Sequence, residues 1–391
     1  SWLRGLNSIK ATVITCSGNS GGGKIIVKLT APLRESFFRR SVALWVLSCT
    51  FFLLFMVIGC TNDNEDSTQT LVILTHDSFD IGQEVIEGFQ KEQGATVIIQ
   101  KGGDAGEILT KAIITKDAPI ADLLYGVDNT FLTRALAEDV FVPYRSPLID
   151  QVPVKFHLDP DFRVTPIDYG YVAINYDLEW MNSNNVAPPK DLSDLTSPKW
   201  ASSLVVQNPA TSSTGLAFLL ATINKFGEQG DYTWKDYWSD LESNDVKVSD
   251  GWSDSYYTAF SLWGGDRPMV VSYATSPAAE MYYSEEIMDS PPSGVLMDNE
   301  ASFLQVETIG ILDGSGNQEL AKRFIDYALN KRFQEDFPTR MWVYPVNKKA
   351  LLPNIFEFAP EPEPKPAVYL NPSSEDIDRW ISDWADIVVR R

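Results

Sequence analysis

The chain of 391 residues holds 53 acidic and 32 basic side chains and carries a net charge of −21 at pH 7. Residues 1–59 contain seven of the basic residues and one of the acids, so residues 60–391 hold 25 basic and 52 acidic side chains, a net charge of −27. This excess of acids argues against nucleic-acid binding, which requires basic patches, and is compatible with a cationic ligand. The alternative explanation is an acidic surface that keeps an exported protein soluble.

The first sixty residues include the layout of an export signal. Residues 39–59 begin with two arginines, continue as nineteen residues without a charge, and are followed by Cys60 in the sequence "VIGC". A basic start, an apolar stretch and small residues before a break are typical of a secretory signal, and "VIGC" resembles a bacterial lipobox. We therefore predict a lipoprotein signal, a lipid on Cys60 and a tether at 60–69, which together place the remaining chain outside the cytoplasm at the membrane surface.

Two further expectations concern this region. An uncleaved membrane-spanning anchor is the alternative to the cleaved signal, because about 20 apolar residues suffice to cross a bilayer. Residues 1–38 have no Met and no clear pattern. We predict that they are a non-native or mis-started segment, and they are left out of the fold prediction.

Residue types that carry covalent or metal chemistry are scarce. The cysteines are Cys16, Cys49 and Cys60, so the exported part is expected to have neither a disulfide nor a thiol nucleophile. Its histidines are His76 and His157, and no HExxH, paired-Cys, EF-hand, GxSxG or Walker A pattern occurs. The sequence predicts no metal, no cofactor and no enzymatic activity. The aromatic rings, carboxylates and hydroxyls that remain are suited to binding.

Strands and helices alternate at short range after the tether. Apolar runs at 70–75, 95–100 and 121–127 predict strands, and apolar residues at helical spacing predict a helix over 81–93. This alternation predicts an α/β fold with a parallel sheet. Because ligands bind at the carboxyl ends of the strands in such sheets, the loops "HDSF", "GGDAG" and "VDN" are candidate parts of a site.

Later segments predict longer strands and a terminal helix. The alternating run at 166–177 predicts a strand that crosses into a second lobe, and 303–312 predicts a return strand. Residues 351–391 are predicted to form a Pro-rich segment and a C-terminal docking helix. Two apolar helix faces are predicted to be core: one formed by Trp234, Tyr237, Trp238 and Leu241, the other by Ile377, Trp380, Ile381 and Trp384.

An ordered set of motifs resembles the thiamine-binding proteins of ABC importers. The motifs are "THDSF", "GGDAG", "GVDNTFL", "DYGY", "NPATSSTGLAFLL", "DGWSDSYY", "VVSYATSPA", "FLQVE" and "MWVYPV", in co-linear order from residue 70 to about residue 350. The resemblance implies the two-lobed α/β fold of type II periplasmic-binding proteins, with crossing hinge strands. Lobe 1 would comprise 70–168 and 303–350, and lobe 2 would comprise 169–302. It also implies a monomer that binds thiamine or its phosphates, with a membrane permease and an ATPase as partners.

The resemblance nominates aromatic site residues. Trp252 matches a Trp that stacks on the ligand, and Trp342 matches an aromatic residue that closes over it. Tyr273 matches a ligand-binding segment at the end of a strand, together with Ala274, Thr275 and Ser276. The alternative for Trp252 is a core indole on one helical face with Tyr256 and Phe260, at spacing i, i+4 and i+8. Both of these partners are predicted to be core residues, and Tyr344 is predicted to be structural.

Polar site residues are nominated in the same way. Asp104 and Ala105 match an Asp-Gly pair whose acid would receive the aminopyrimidine, and Asp77 follows a strand in a suitable place for ligand contact. Ser212 and Ser213 precede a helix whose N terminus can receive a phosphate or hydroxyl group. The alternative for each of these residues is a helix cap or a turn.

This chain departs from the family's pattern at three places. His76 stands where many members have Tyr, Ala279 stands where they have a further Tyr, and a Trp that follows "DSF" in some members has no counterpart. The aromatic lining is therefore predicted to be thinner than in the family. Alternative functions are a binding protein of the same fold for a polyamine or for ferric iron, the latter using adjacent tyrosines, and a thiamine-processing enzyme such as thiaminase I, which requires a nucleophilic cysteine.

Overall fold

The structure, a computed structural model, describes residues 69–296, 302–362 and 372–390. The predictions for 1–38, for the signal at 39–59 and for the lipid on Cys60 concern residues outside these ranges. Within the described ranges, no helix is both long enough and apolar enough to cross a membrane.

Eleven strands form one hydrogen-bonded sheet in the described residues. They are β1 Thr70–Thr75, β2 Thr96–Lys101, β3 Leu123–Asp128, β4 Phe141–Val142, β5 Thr165–Asp177, β6 Leu204–Gln207, β7 Lys247–Ser249, β8 Met269–Tyr273, β9 Ser293–Leu296, β10 Phe303–Leu312 and β11 Tyr344–Pro345. The main strand order is β2-β1-β3-β10-β5-β8-β6-β7, with β4 paired to β10 and both β9 and β11 paired to β5.

The prediction of a parallel sheet is right for the two flanks and wrong for the centre. Strand β1 pairs in parallel with β2 and β3, and β6 pairs in parallel with β7 and β8. The two longest strands, β5 and β10, lie between these flanks and pair antiparallel with each other, with β3 and with β8. Apolar patterning shows which residues are extended but not which way a strand runs, so the mixed centre was not predictable from it. Both crossing strands themselves form where the sequence predicts them.

Helices cover the sheet on both faces. They are α1 Gln83–Gln93, α2 Ala105–Ile114, α3 Leu132–Ala137, α4 Leu178–Ser183, α5 Ser213–Phe226, α6 Trp234–Ser243, α7 Trp252–Asp254, α8 Ser276–Tyr283, α9 Gln318–Ala328, α10 Lys331–Asp336, α11 Pro338–Met341 and α12 Ser374–Val388. Strand β1 shows the layering, because Leu71 and Ile73 are buried in one hydrophobic cluster and Leu74 in the other. Successive strand residues point to opposite faces, so one sheet supports two apolar layers.

The helix near the C terminus packs through tryptophans. In α12 the residues Ile377, Trp380 and Trp384 are buried. The ring of Trp384 meets the ring of Trp238 edge-on, with centroids 5.6 Å apart. Helix α6 buries Trp234, Tyr237, Trp238 and Leu241, which confirms its predicted core face. The lobe boundaries inferred from the family resemblance remain a prediction.

Helix α6 begins with a capping interaction that can be tested. The amide and the hydroxyl of Thr233 both donate to Asp236 Oδ2, at 2.8 and 2.7 Å. Replacing Thr233 by Ala removes the hydroxyl, and we expect the free energy of unfolding in urea to fall by about 1 kcal/mol. Ser239→Ala is the control, because this hydroxyl bonds only to Lys235 O within the helix and Ala favours helix formation. Equal stability of the two variants would contradict a role for the cap.

Candidate functional site

Loops at the carboxyl ends of the strands enclose a cavity of about 510 Å³. Strand β1 is followed by His76 and Asp77, β7 by Trp252 after a short turn, and β8 by Thr275; all four of these residues line the cavity. The position agrees with the expectation that ligands bind where parallel strands end. Of the predicted loops, "HDSF" contributes directly to the wall.

Trp252 forms one wall and is held from two sides. Its ring stacks on Tyr256 with centroids 5.0 Å apart and an interplanar angle of 15°. Its Nε1 donates to Ser272 Oγ at 2.8 Å, and its backbone amide donates to Asp104 Oδ2 at 2.9 Å. Trp252 is half-buried and lines the cavity, so the indole ring is fixed in orientation while part of it faces open space.

A π-helical turn follows Trp252 and shapes this wall. Helix α7 passes into the π turn Ser255–Ala259, and Phe260 lies beyond it in extended backbone. The three rings still lie together, since Trp252 stacks on Tyr256 and the Tyr256 and Phe260 centroids are 5.8 Å apart, but they belong to a π turn and an extended residue and not to one regular α-helical face. Phe260 and Tyr256 are buried as predicted, but Tyr256 also lines the cavity. Tyr257, for which the sequence predicts no role, lines it as well.

Trp342 also lines the cavity and has a strained backbone conformation. Its φ is 57°, in the left-handed region that residues other than glycine rarely adopt. Its ring stacks on Phe356 with centroids 5.8 Å apart, and its carbonyl accepts a hydrogen bond from Thr275 Oγ1 at 2.5 Å. Such strain persists only where surrounding contacts over-determine it, and it is frequent at binding sites. Tyr344 is buried in β11, where it pairs with β5, as expected of a structural residue.

Asp77 and Asp104 connect neighbouring loops. Asp77 lines the cavity, and its Oδ1 accepts from the Gly103 amide at 2.9 Å. Asp104 caps α2, accepting from the Ala105 amide at 2.7 Å, and its second oxygen accepts from the Trp252 amide. Burial raises the pKa of Asp104, and these amide bonds oppose the rise. Asp104 lines an adjoining pocket of about 210 Å³ rather than the main cavity.

The remaining nominated residues lie at different depths. Tyr273, Thr275 and Ser276 line the cavity, whereas Ala274 and Ala105 are fully buried beside it. Ser212 and Ser213 are also buried: Ser212 Oγ bonds to Thr214 Oγ1 at 3.0 Å, and Ser213 Oγ accepts from Gln305 Nε2 at 3.0 Å. Helix α5 begins at Ser213 without a hydroxyl cap, so simple capping does not explain these serines. The structure does not bring them to the cavity wall, and ligand contact stays a prediction for them.

A buried ionic cluster lies at the base of the cavity. His76 Nε2 is 3.1 Å from Glu307 Oε1, and Tyr125 OH donates to Asp168 Oδ2 at 2.6 Å and to Glu307 Oε2 at 3.2 Å. Burial alone would lower the pKa of His76, but the Glu307 carboxylate raises it overall. Burial would raise the pKa of Glu307, but the charge of His76 lowers it overall. Burial and the neighbouring Glu307 charge raise the pKa of Asp168 well above its ordinary value.

Glu280 is a cavity residue that the sequence interpretation missed. It is 4% exposed, and its two oxygens accept hydrogen bonds from Tyr256 OH at 2.6 Å and Ser293 Oγ at 2.5 Å. Burial raises its pKa to about 7. Glu280 follows Ser276 by four residues in α8, and both line the cavity. This i, i+4 spacing is the signal that could have identified it.

The sheet topology and the cavity lined by aromatic and acidic residues define a solute-binding protein of the two-lobed type II periplasmic-binding fold. The sequence pattern of bacterial extracellular solute-binding proteins matches residues 118–363. The thiamine-binding periplasmic protein of Brucella suis is 30% identical over 87% of this chain and 98% of its own length. The Escherichia coli protein of the same description is 29% identical over 82% and 94% of the two chains. A solved periplasmic thiamin binding protein is 27% identical, with a TM-score of 0.70 over 83% of this chain and 97% of the other.

The chain belongs to the bacterial extracellular solute-binding proteins. Family membership agrees with the architecture, in which two crossing strands join two parallel flanks. Within the described residues, no cluster of His, Cys, Asp and Glu is arranged to hold a metal ion.

Proposed function

We propose that this protein captures thiamine or a thiamine phosphate outside the cytoplasm and delivers it to an ABC permease and its ATPase. The observation that carries the proposal is a cavity lined by tryptophans, among them Trp252 and Trp342, whose lining contains more acids than bases. Its acids are Asp77, Asp80, Glu280 and Glu307, and its bases are Arg340 and His76. The curated relatives described as thiamine-binding give independent support.

The chemistry of thiamine suits this lining. The thiazolium ring carries a permanent positive charge, so burial cannot neutralise it by removing a proton. An aromatic ring facing such a cation contributes roughly 0.5–2 kcal/mol. Carboxylates add charge pairing that strengthens as water is excluded from the cavity. The cavity volume of about 510 Å³ lies within the range of small-molecule sites.

The proposed roles follow from position. Trp252, Tyr273 and Trp342 supply ring surfaces, while Thr275 and Ser276 supply hydroxyls from the turn after β8. Asp77 supplies a carboxylate. Asp104 is proposed to act through Trp252, because its carboxylate holds the Trp252 amide. Ala105, Ala274, Ser212 and Ser213 complete the proposed site from behind the wall, and contact by the serines requires a rearrangement of their present hydrogen bonds.

The remaining parts of the proposal concern cellular placement. A lipid on Cys60 would anchor the protein to the membrane surface, with residues 60–69 as the tether and the signal at 39–59 removed. We propose that the protein acts there as a monomer. The family's extracellular solute-binding description supports the extracytoplasmic location.

The cavity is less suited to ferric iron. The adjacent tyrosines that could bind it are Tyr256 with Tyr257 and Tyr282 with Tyr283, and Tyr283 OH donates to the Thr339 carbonyl at 3.2 Å. In addition, Tyr256 OH is already engaged with Glu280. A polyamine would use acids spaced along the cavity, and it is retained as the competing ligand. Thiaminase-type cleavage lacks its nucleophile, because the sequence has no cysteine after Cys60.

Calorimetric titration of the purified full chain tests the proposed ligand. We expect saturable one-site binding of thiamine or one of its phosphates, and weaker or no binding of spermidine and ferric citrate. Heat with spermidine alone would favour the polyamine function. The absence of binding by thiamine, its monophosphate and its diphosphate would overturn the proposal. Recovering the vitamin intact after incubation would separate binding from cleavage.

A further inference from the structure

Glu280 is a buried carboxylate that no cation within the described residues neutralises. Both of its oxygens accept from hydroxyl groups, those of Tyr256 and Ser293. Among the described residues, no Lys, Arg or His forms an ion pair with it, and the nearby acid Asp177 raises its pKa further. A buried acid in such surroundings is costly to ionise unless a positive charge arrives.

The other charged groups of the cavity are already paired or lie near the surface. His76 is committed to Glu307. Arg340, which is 46% exposed at its side chain, lies 3.7 Å from Asp80 and 3.9 Å from Asp336. From the elements packed around Glu280, the titratable groups are Tyr256 and Tyr257 of the π turn, Tyr283 of its own helix and Asp177 at the end of β5. None of these supplies a positive charge.

We propose that Glu280 is the specificity-determining counter-ion of the cavity, selecting ligands that carry a fixed positive charge over neutral molecules of the same shape. This inference rests on the proposed function and deepens it. The hydroxyls of Tyr256 and Ser293 fix the direction of the carboxylate. Tyr256 also stacks on Trp252, and Glu280, Tyr256 and Trp252 all line the same cavity, so the carboxylate and the ring proposed to face the cation belong to one site. A cation stacked there is near both a ring and a carboxylate, whereas a neutral isostere gains only ring contact.

Two ligands and two variants test the proposal. The ligands are thiamine and 3-deazathiamine, in which a neutral thiophene replaces the thiazolium ring. Glu280→Gln keeps the size of the side chain and one acceptor oxygen, turns the other oxygen into an NH2 donor, and removes the charge. Glu285→Gln is the matched control, because Glu285 is an exposed acid just beyond α8 that does not line the cavity. Thermal melting of each variant verifies folding before titration.

We expect Glu280→Gln to weaken thiamine binding about tenfold and to change 3-deazathiamine binding by less than about threefold. Glu285→Gln should leave both affinities unchanged. An equal loss for both ligands would assign Glu280 a structural role and overturn the inference, as would no loss for either. If the wild-type protein binds neither thiamine nor 3-deazathiamine, the proposed function itself is overturned, and the inference with it.

Proton release gives a second readout that a structural role would not produce. At pH 7 the Glu280 carboxyl of the free protein is partly protonated, because its pKa is about 7. A bound cation favours the ionised form, so binding should release protons, and thiamine affinity should rise between pH 6 and pH 8. Titration in two buffers of different ionisation enthalpy measures the release. The number of protons released on thiamine binding should be smaller for Glu280→Gln than for the wild type, with any remaining release due to His76. An unchanged number of protons would count against the proposal.

Discussion

Replacing Trp252 by Ala is expected to weaken thiamine binding by about 100-fold, which corresponds to about 2.7 kcal/mol. The substitution removes a ring that is positioned by the Tyr256 stack and by the bond from Nε1 to Ser272. Cation–ring attraction contributes roughly 0.5–2 kcal/mol of this loss, and the apolar contact area of the indole contributes the remainder. Calorimetric titration of the full chain measures the change.

Two further variants give this result its meaning. Trp252→Phe keeps a ring but loses the bond to Ser272, so we expect a smaller loss, about tenfold. Trp180→Ala removes a half-buried tryptophan that packs against the core and is not part of the cavity wall. Its affinity should equal that of the wild type even though its melting temperature falls. A Trp252→Ala protein that binds thiamine normally would remove Trp252 from the proposed site.

Replacing Glu307 by Gln is expected to lower the free energy of unfolding by about 3 kcal/mol at pH 5.5, because it breaks a fully buried ion pair. His76 and Glu307 are each 7% exposed at the side chain and 3.1 Å apart. Glu138→Gln is the control: Glu138 pairs with Lys116 at 3.6 Å on the surface, where such a pair contributes about 0–1 kcal/mol. Urea unfolding measures both, and equal small losses would show that the buried pair is not stabilising.

The pH dependence of this pair has a defined window. His76 has a folded-state pKa above 6.5, so its contribution is complete below pH 6.5 and is lost as the pH rises through the folded value. Glu307 has a folded-state pKa below 4.5, so its contribution is complete above pH 4.5 and is lost as the pH falls through the folded value. The difference between wild type and Glu307→Gln should therefore be largest between pH 4.5 and 6.5 and should shrink as the pH rises through the folded-state pKa of His76.

A second buried acid, Asp128, also lowers stability as the pH rises, but at lower pH than His76 does. Burial raises the pKa of Asp128 to about 6. Its ionisation in the folded state therefore costs stability once the pH exceeds its ordinary value of 3.8, and the cost is complete above about pH 6. Asp128 should accordingly reduce the stability of the protein between about pH 4 and pH 6, and His76 should reduce it at higher pH, as the pH rises through the folded-state pKa of His76. A stability curve that is flat from pH 4 to pH 8 would contradict both assignments.

Sequence periodicity predicted the extended and helical segments well, because the side chains that face the core recur with the period of the strand or helix. The alternating run at 166–177 became β5, and the four apolar residues of α6 are all buried. Strand direction depends on which segments meet in space, which explains the error at the centre of the sheet. The π turn after Trp252 is a similar case: a single inserted residue per turn leaves no mark in the apolar spacing.

The candidate site was predictable to the extent that motifs mark strand ends. Trp252, Tyr273 and Trp342 line the cavity, and "HDSF" adds Asp77. Glu280 and Glu307 were missed because an acid is usually a surface residue, and only tertiary contacts show that these two are buried. For Asp104 the sequence offered either a helix cap or a site residue. In the structure, the same carboxylate caps α2 and accepts a hydrogen bond from the Trp252 amide. A residue that caps a helix can therefore also position a residue of the cavity wall.

The crossing strands link the folding of the whole described sheet. In β5, Val172 and Ile174 belong to one apolar layer while Tyr171 and Ala173 belong to the other, and β10 is shared in the same way. Each apolar layer therefore depends on β5 and β10. Unfolding of one layer would disrupt these strands and so destabilise the other layer. Heating should produce one cooperative transition. A ligand present at about 100 times its Kd would add about 2.7 kcal/mol to that single transition, so the thermal shift would report occupancy of a cavity formed by only a few loops.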